Sequence, residues 1–144
     1  MKKGKAVPLL IMVASKSDLP FLDEGINYLK EQGVVYDIEI GSTHREPELT
    51  GDKIVARLKN KNLKVVIAGA ATATGLPGIF AGYLINTNIP IYGVRFIANA
   101  GQSIIEDATF NISSMPSGVP LSYTGFNKKG VLHACMLATR IIKA

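Results

Sequence analysis

The sequence has no tryptophan, a single cysteine, and aromatic residues at only 7% of its 144 positions. Acidic side chains are also in short supply, 11 against 16 basic ones, for a formal charge of +5. Each shortage excludes something. One cysteine, Cys135, closes neither an internal disulfide nor a cysteine-based zinc cage. Lying among Ala134, Met136 and Leu137, it reads as a small core residue rather than a nucleophile. Without tryptophan, and without aromatics interleaved among the basic residues, there is no stacking platform for nucleic acid, although the charge raises the question. The basic residues are scattered: Lys2, Lys3 and Lys5 form a tail, while Lys53, Arg57, Lys59, Lys61 and Lys64 follow a helix and its exit loop as solvated faces do. A small anionic substrate such as a phosphate ester is the better use of the positive balance.

Long apolar runs are missing too. The longest, Val7 to Ala14, is interrupted by Pro8 and is strand-sized, well short of the roughly 18 residues of a membrane span. The lysine-rich start is followed by apolar sequence, but that stretch ends in Ser15-Lys16-Ser17-Asp18 with no small-x-small cleavage pattern, so a cytoplasmic protein is expected. Neither GxGxxG nor GxxxxGK[ST] occurs, so neither a dinucleotide nor a P-loop nucleotide is supported. Repeats, low-complexity segments and linkers are also lacking, and residues 1–144 read as one domain. An apolar fraction of 47% with 19% charged residues is enough for a core.

What is present is an alternation. Val7–Ala14, Val34–Ile40, Val65–Ala68, Pro90–Val94 and Leu121–Thr124 read as strands. Between them run helical patterns. In the first, Asp18 is a candidate cap, Pro20 fits the first turn, Leu22, Ile26 and Leu29 form a buried stripe, and Gly33 ends the helix. The second starts at Pro47 with Leu49, Ile54, Val55 and Leu58 inward and lysines outward. A third opens at Pro77 and runs to about Asn86, Ser103–Phe110 is a candidate short helix, and Gly130–Ile142 is the last. This order predicts an α/β protein with a mostly parallel sheet between two helical layers.

In such sheets ligands bind outside the carboxyl ends of the strands. Three successive strands end in polar or glycine-rich turns: Ala14 to Asp18, Gly41 to Pro47, and Gly69 to Gly78. Ser15, Ser17 and Ser42 with Arg45 suit a phosphate at helix N-termini. Asp18 suits sugar hydroxyls, and His44 suits proton transfer near neutrality. The small Gly69–Gly78 loop allows close approach to a flat ligand. Taken singly, Ser-x-Ser-Asp is equally a helix cap and His44 equally a structural histidine; the convergence of three turns favours a site. His133 reads as a packing or surface residue within the last helix, and Met115 to Pro120 as a rigid turn.

Ala-Ser-x-Ser-Asp (Ala14 to Asp18), Ser-x-His-Arg-x-Pro-Glu (Ser42 to Glu48), Ala68-Gly69-Ala70 with Leu76-Pro77-Gly78, and Met-Pro-x-Gly-Val-Pro (Met115 to Pro120) resemble one family. It is that of the phosphoribosylaminoimidazole carboxylase catalytic subunit, whose bacterial form is the N5-carboxyaminoimidazole ribonucleotide mutase. The resemblance covers about residues 7 to 142. It implies a three-layer α-β-α sandwich with a central parallel sheet of flavodoxin-like type, assembled as a homo-octamer, with no metal and no organic cofactor. It implies an isomerase of purine biosynthesis that moves a carboxylate from N5 to the imidazole carbon through released and recaptured CO2. By motif match His44 is the proton carrier, and Ser15, Ser17, Asp18, Ser42 and Arg45 hold ribose and phosphate. Ala68, Gly69, Ala70, Gly75 and Leu76 form the wall around carboxylate and ring. Nucleic acid and membrane are not among the implied partners.

The chain departs from the family pattern in several places. Gly75 stands where the family usually has a histidine, and Ala71-Thr72-Ala73-Thr74 replaces Gly-Gly-Ala-Ala. His133 replaces an asparagine, Gly93-Val94-Arg95 replaces Gly-Val-Pro, and Asp107-Ala108-Thr109 replaces Asp-Ser-Leu. Arg95 is open to two readings, a contact with a second anionic group or a surface arginine. Arg45 and Ala68-Gly69-Ala70 side with the mutase subclass rather than the direct aminoimidazole ribonucleotide carboxylases. A paralogue acting on another phosphoribosyl compound, or a non-catalytic assembly subunit, are the competing readings.

Overall fold

A computed structural model describes residues 6–71, 75–97 and 112–144. Every residue of strand β1 (Leu9–Val13) is buried, as an apolar run covered on both faces must be. Its residues alternate between two cores: Leu9, Ile11 and Val13 enter one, Leu10 and Met12 the other. Full burial of such side chains contributes about 1.5–3 kcal/mol each. Strands β2 (Tyr36–Ile40), β3 (Val65–Ala70), β4 (Ile91–Arg95) and β5 (Ser122–Phe126) complete a five-stranded sheet in the order β2-β1-β3-β4-β5. Each pairing between neighbours is parallel.

Helices α1 (Asp23–Glu31) and α4 (Asn127–Ile142) cover the first core. There Leu29, Val131, Ala134, Cys135 and Ala138 pack on β1, β3 and β4. Helices α2 (Pro47–Leu58) and α3 (Gly75–Tyr83) cover the second, through Ile54, Leu76, Phe80 and Ala81. The result is the three-layer parallel α/β arrangement expected from the alternation. Cys135 is fully buried, and burial pushes its thiol up to about 12. Gly33, at φ +68°, follows the last turn of α1 as a helix-ending glycine does. No helix among the described residues is long and apolar enough to cross a membrane.

Several boundaries differ from the sequence reading. The segment after β1 is a 3-10 helix, Lys16–Leu22, and the α-helix begins only at Asp23. Pro20 lies within that 3-10 segment, where its missing N–H costs little because the segment is short. Val34 is buried but precedes β2, β3 extends to Ala70, and α3 starts at Gly75 rather than Pro77. The inward face of α2 is Thr50 and Ile54, while Leu49 and Val55 are 38% and 43% exposed. Thr50 takes the inward position because its hydroxyl donates to the Ser42 carbonyl at 2.9 Å. Lys53 and Arg57 turn toward β2 rather than to solvent. Lys53 Nζ donates to the Ile40 carbonyl at 2.7 Å, and Arg57 bonds Glu39 and Asp37 at 2.7 Å each. Burial pulls the Arg57 guanidinium down, but the two carboxylates outweigh it and hold it above its ordinary value. Lys2, Lys3, Lys5, Thr72, Ala73, Thr74, the Ser103–Phe110 helix and Asp107-Ala108-Thr109 lie outside the described residues.

Candidate active site

The sheet order places β1 between β2 and β3. The chain therefore leaves β1 to one side and then crosses to the other, which makes the carboxyl edge of β1 and β3 the switch point where such sheets receive ligands. Backbone bonds knit that edge together. Gly41 N–H donates to the Val13 carbonyl at 2.9 Å, Ala14 N–H to Gly69 at 3.1 Å, and Phe96 N–H to Ala70 at 2.9 Å. Phe96 lies over Gly69, where a Cβ would come within 2.5 Å of its ring, and it stacks on Phe21 at 5.0 Å between centroids.

After β1, Ser15 caps the 3-10 helix. Its Oγ accepts from the Ser17 N–H at 3.3 Å, and its own N–H donates to the Asp18 carboxylate at 3.1 Å. Asp18 is thereby drawn inside, with 3% of its surface exposed. Burial lifts its carboxyl above the ordinary value, and the Ser15 N–H pulls it back. After β2, Ser42 Oγ accepts from the Arg45 N–H at 3.2 Å. These two turns flank a cavity of about 330 Å³ lined by Ser15, Lys16, Ser42, Arg45, Thr50 and Lys53. That volume lies at the lower end of the range for small-ligand sites, about 300–1,000 Å³. Three basic side chains and three hydroxyls outnumber the one carboxylate on the lining, that of Glu46, and make the concavity a receptor for an anion.

His44 lies one residue beyond this wall. The imidazole packs against Gly75 at the first turn of α3: a Cβ there would stand 3.0 Å from His44 Nε2 and 3.1 Å from Thr43 Oγ1. The turn after β2 therefore reaches the start of α3, where the sheet behind is small and apolar. Ala68, Ala70 and Leu76 are buried there, and Gly78 meets the sulfur of Met115 from the Met-Pro turn.

Of the residues the sequence singles out, Ser15, Ser42 and Arg45 share the cavity, and His44 and Gly75 share a contact. Ser17 is exposed with its hydroxyl 3.0 Å from that of Ser15, and Asp18 is buried beside it with its carboxylate on the Ser15 N–H. Lys16, Thr50 and Lys53 also line the cavity but were not singled out. The signal for the last two was the spacing Glu46, Thr50, Lys53, Arg57, one helix face directed at the end of β2. Arg95 is no surface residue: it is 0% exposed. Burial lowers the pKa of its guanidinium, and neighbouring Tyr123 pushes the other way. His133 lies beside a separate hollow with Phe21, Asn127 and Lys128.

Fold and cavity together define a flavodoxin-like α/β protein with an anion-receptive cleft at its sheet switch point. Residues 8–144 match the family model described as AIR carboxylase. The chain belongs to that family. It is 33% identical over 132 residues to the N5-carboxyaminoimidazole ribonucleotide mutase of Vibrio cholerae, covering 92% of this chain and 78% of the relative. It is 36% identical over 142 residues to the mutase of Pyrococcus horikoshii, covering 99% and 75%. The crystal structure of Treponema denticola PurE superposes with a TM-score of 0.78 at 22% identity, over 94% of this chain and 79% of that one.

Proposed function

We propose that this chain is an N5-carboxyaminoimidazole ribonucleotide mutase, an isomerase of purine biosynthesis. The observation that carries the reading is the junction of His44 with Gly75, which sets an imidazole beside the apolar end of β3 and one residue from the phosphate-type cleft. The family match and the names of the relatives supply the reaction.

Ser15, Ser17, Ser42 and Arg45 hold the phosphate, and Asp18 accepts from ribose hydroxyls. The imidazole ring then lies along Ala68, Gly69, Ala70, Gly75 and Leu76. The bond from N5 to the carboxyl carbon breaks, its electron pair stays on nitrogen, and nitrogen takes up a proton as CO2 leaves. The ring carbon then attacks the trapped CO2, and the proton displaced from that carbon is carried away. His44 serves both transfers, so no net proton is consumed. The small apolar wall keeps CO2 in place and water out, while the remote phosphate anchor orients the ring. Under the same reading the protein is cytoplasmic, residues 1–144 form one domain, and copies assemble as a homo-octamer.

The test is conversion of N5-carboxyaminoimidazole ribonucleotide to carboxyaminoimidazole ribonucleotide, followed by absorbance, with His44→Asn beside the wild type. Turnover by the wild type is expected to fall about 10²–10⁴-fold in the variant, with nucleotide affinity kept. Equal turnover by the two would remove His44 from the mechanism. No turnover by a folded wild type would turn the reading to another phosphoribosyl substrate.

A further inference from the structure

Arg95 has no part in the site described above, yet it is among the largest fully buried side chains of the protein. It ends β4, in register with Ala70 of β3. Two residues before it on the same strand face, Gly93 looks onto Pro77, Ile112 and Leu121, while Val94 enters the opposite core. The Arg95 side chain therefore lies on the face covered by α2 and α3, the face that also carries the phosphate-type cleft. Its Nη1 donates to the Phe96 carbonyl at 2.9 Å, but Nε and Nη2 are buried with no hydrogen-bond partner among the described residues.

The unpartnered pair is chemically specific. Nε–H and Nη2–H point the same way along one edge of the guanidinium, the edge that matches the two oxygens of a carboxylate. Arg57 uses the same two nitrogens to bond Glu39 and Asp37. A guanidinium does not escape its charge by losing a proton, and a buried cation without a partner is strongly unfavourable.

We infer that the Nε/Nη2 edge of Arg95 is the seat of a planar carboxylate-type anion. Resting on the mutase reading, that anion is the carboxylate borne by the imidazole end of the nucleotide. The same sheet face then offers an anion receptor at its β1–β2 end and a second at the end of β4, with Ala68 and Ala70 between. That layout suits a ligand with phosphate at one end and carboxylate at the other.

The test compares two ligands and one probe on wild type, Arg95→Met and Arg95→Lys. Aminoimidazole ribonucleotide, which has no carboxylate, is expected to bind all three with Kd within about twofold. Carboxyaminoimidazole ribonucleotide is expected to bind both variants roughly 10–100-fold more weakly than wild type, the scale of lost charge-assisted bonds. Equal weakening for both nucleotides, or for neither, overturns the inference. Formate is the probe that stands apart from the mutase reading. Against chloride at matched ionic strength, it is expected to raise the Tm of wild type and not that of the variants. If wild type binds neither nucleotide, the mutase reading fails and formate decides: selective protection upholds the carboxylate seat, and its absence from wild type removes it. Should Arg95→Met fail to fold, Arg95→Lys and the wild-type formate result decide in the same way.

Discussion

At the scale of the residue, Gly75 sets where His44 sits. A methyl at this position would meet both His44 Nε2 and Thr43 Oγ1 at close range. Gly75→Ala is therefore expected to displace the imidazole by a few tenths of an ångström and lower kcat by about tenfold, since small misplacements at a reacting centre are costly. Affinity for the phosphate end should stay within about twofold, because Gly75 does not line the cavity shared by Ser15, Ser42 and Arg45. Steady-state kinetics separates the two, and a rise in KM with kcat unchanged would reject the positioning role. Residues in strand-end turns were legible in the sequence, because the sheet edge almost fixes where their backbone lies. Ser15, Ser42 and Arg45 fall together for that reason. Polar chains on helices and strands, away from those turns, were not. Lys53 was read as outward, and Arg95 was left between anion contact and surface. Lys53 takes its direction from a carbonyl on another element, and Arg95 keeps two nitrogens unpartnered among the described residues.

At the scale of the element, the two helical layers are joined to the sheet differently. Helix α1 lies so close to α4 that a Cβ on Gly25 would stand 2.7 Å from Val131 Cγ1 and 2.9 Å from the sulfur of Cys135. Gly25→Ala should destabilise the protein by about 1–3 kcal/mol, the usual penalty for overpacking, despite alanine's better helix propensity. A denaturant midpoint equal to or above that of wild type would show that the helices move apart freely. The α2 layer shows where periodicity falls short. Its apolar residues suggested Leu49 and Val55 as inward, but the Thr50 hydroxyl and the end of β2 set the rotation of the helix instead. A polar residue that satisfies a buried carbonyl outranks an apolar one at the edge of the stripe. The 3-10 segment was likewise hidden, because Ser15 and Asp18 cap either kind of helix.

At the scale of the whole molecule, the alternation of strands and helices already implied the parallel order, since right-handed crossovers leave few alternatives. The placement of the cleft at the β1–β3 switch followed from it. Self-association is a separate matter. Ile79, Tyr83 and Ile85 on and after α3 are between 42% and 51% exposed, an apolar stripe that water disfavours. Sedimentation velocity is expected to give a species several times the 15.4 kDa chain, and Ile79→Glu to shift it toward the monomer. A wild type that sediments only as monomer would reject the assembly. One buried atom offers a way to follow all of these variants. Since burial holds the Cys135 thiol near 12, only about one in ten thousand is ionised at pH 8, and that fraction is sealed from reagents. Thiol labelling therefore waits for the chain to open. The lone thiol is a native stopwatch for unfolding, readable by mass spectrometry without any added tag.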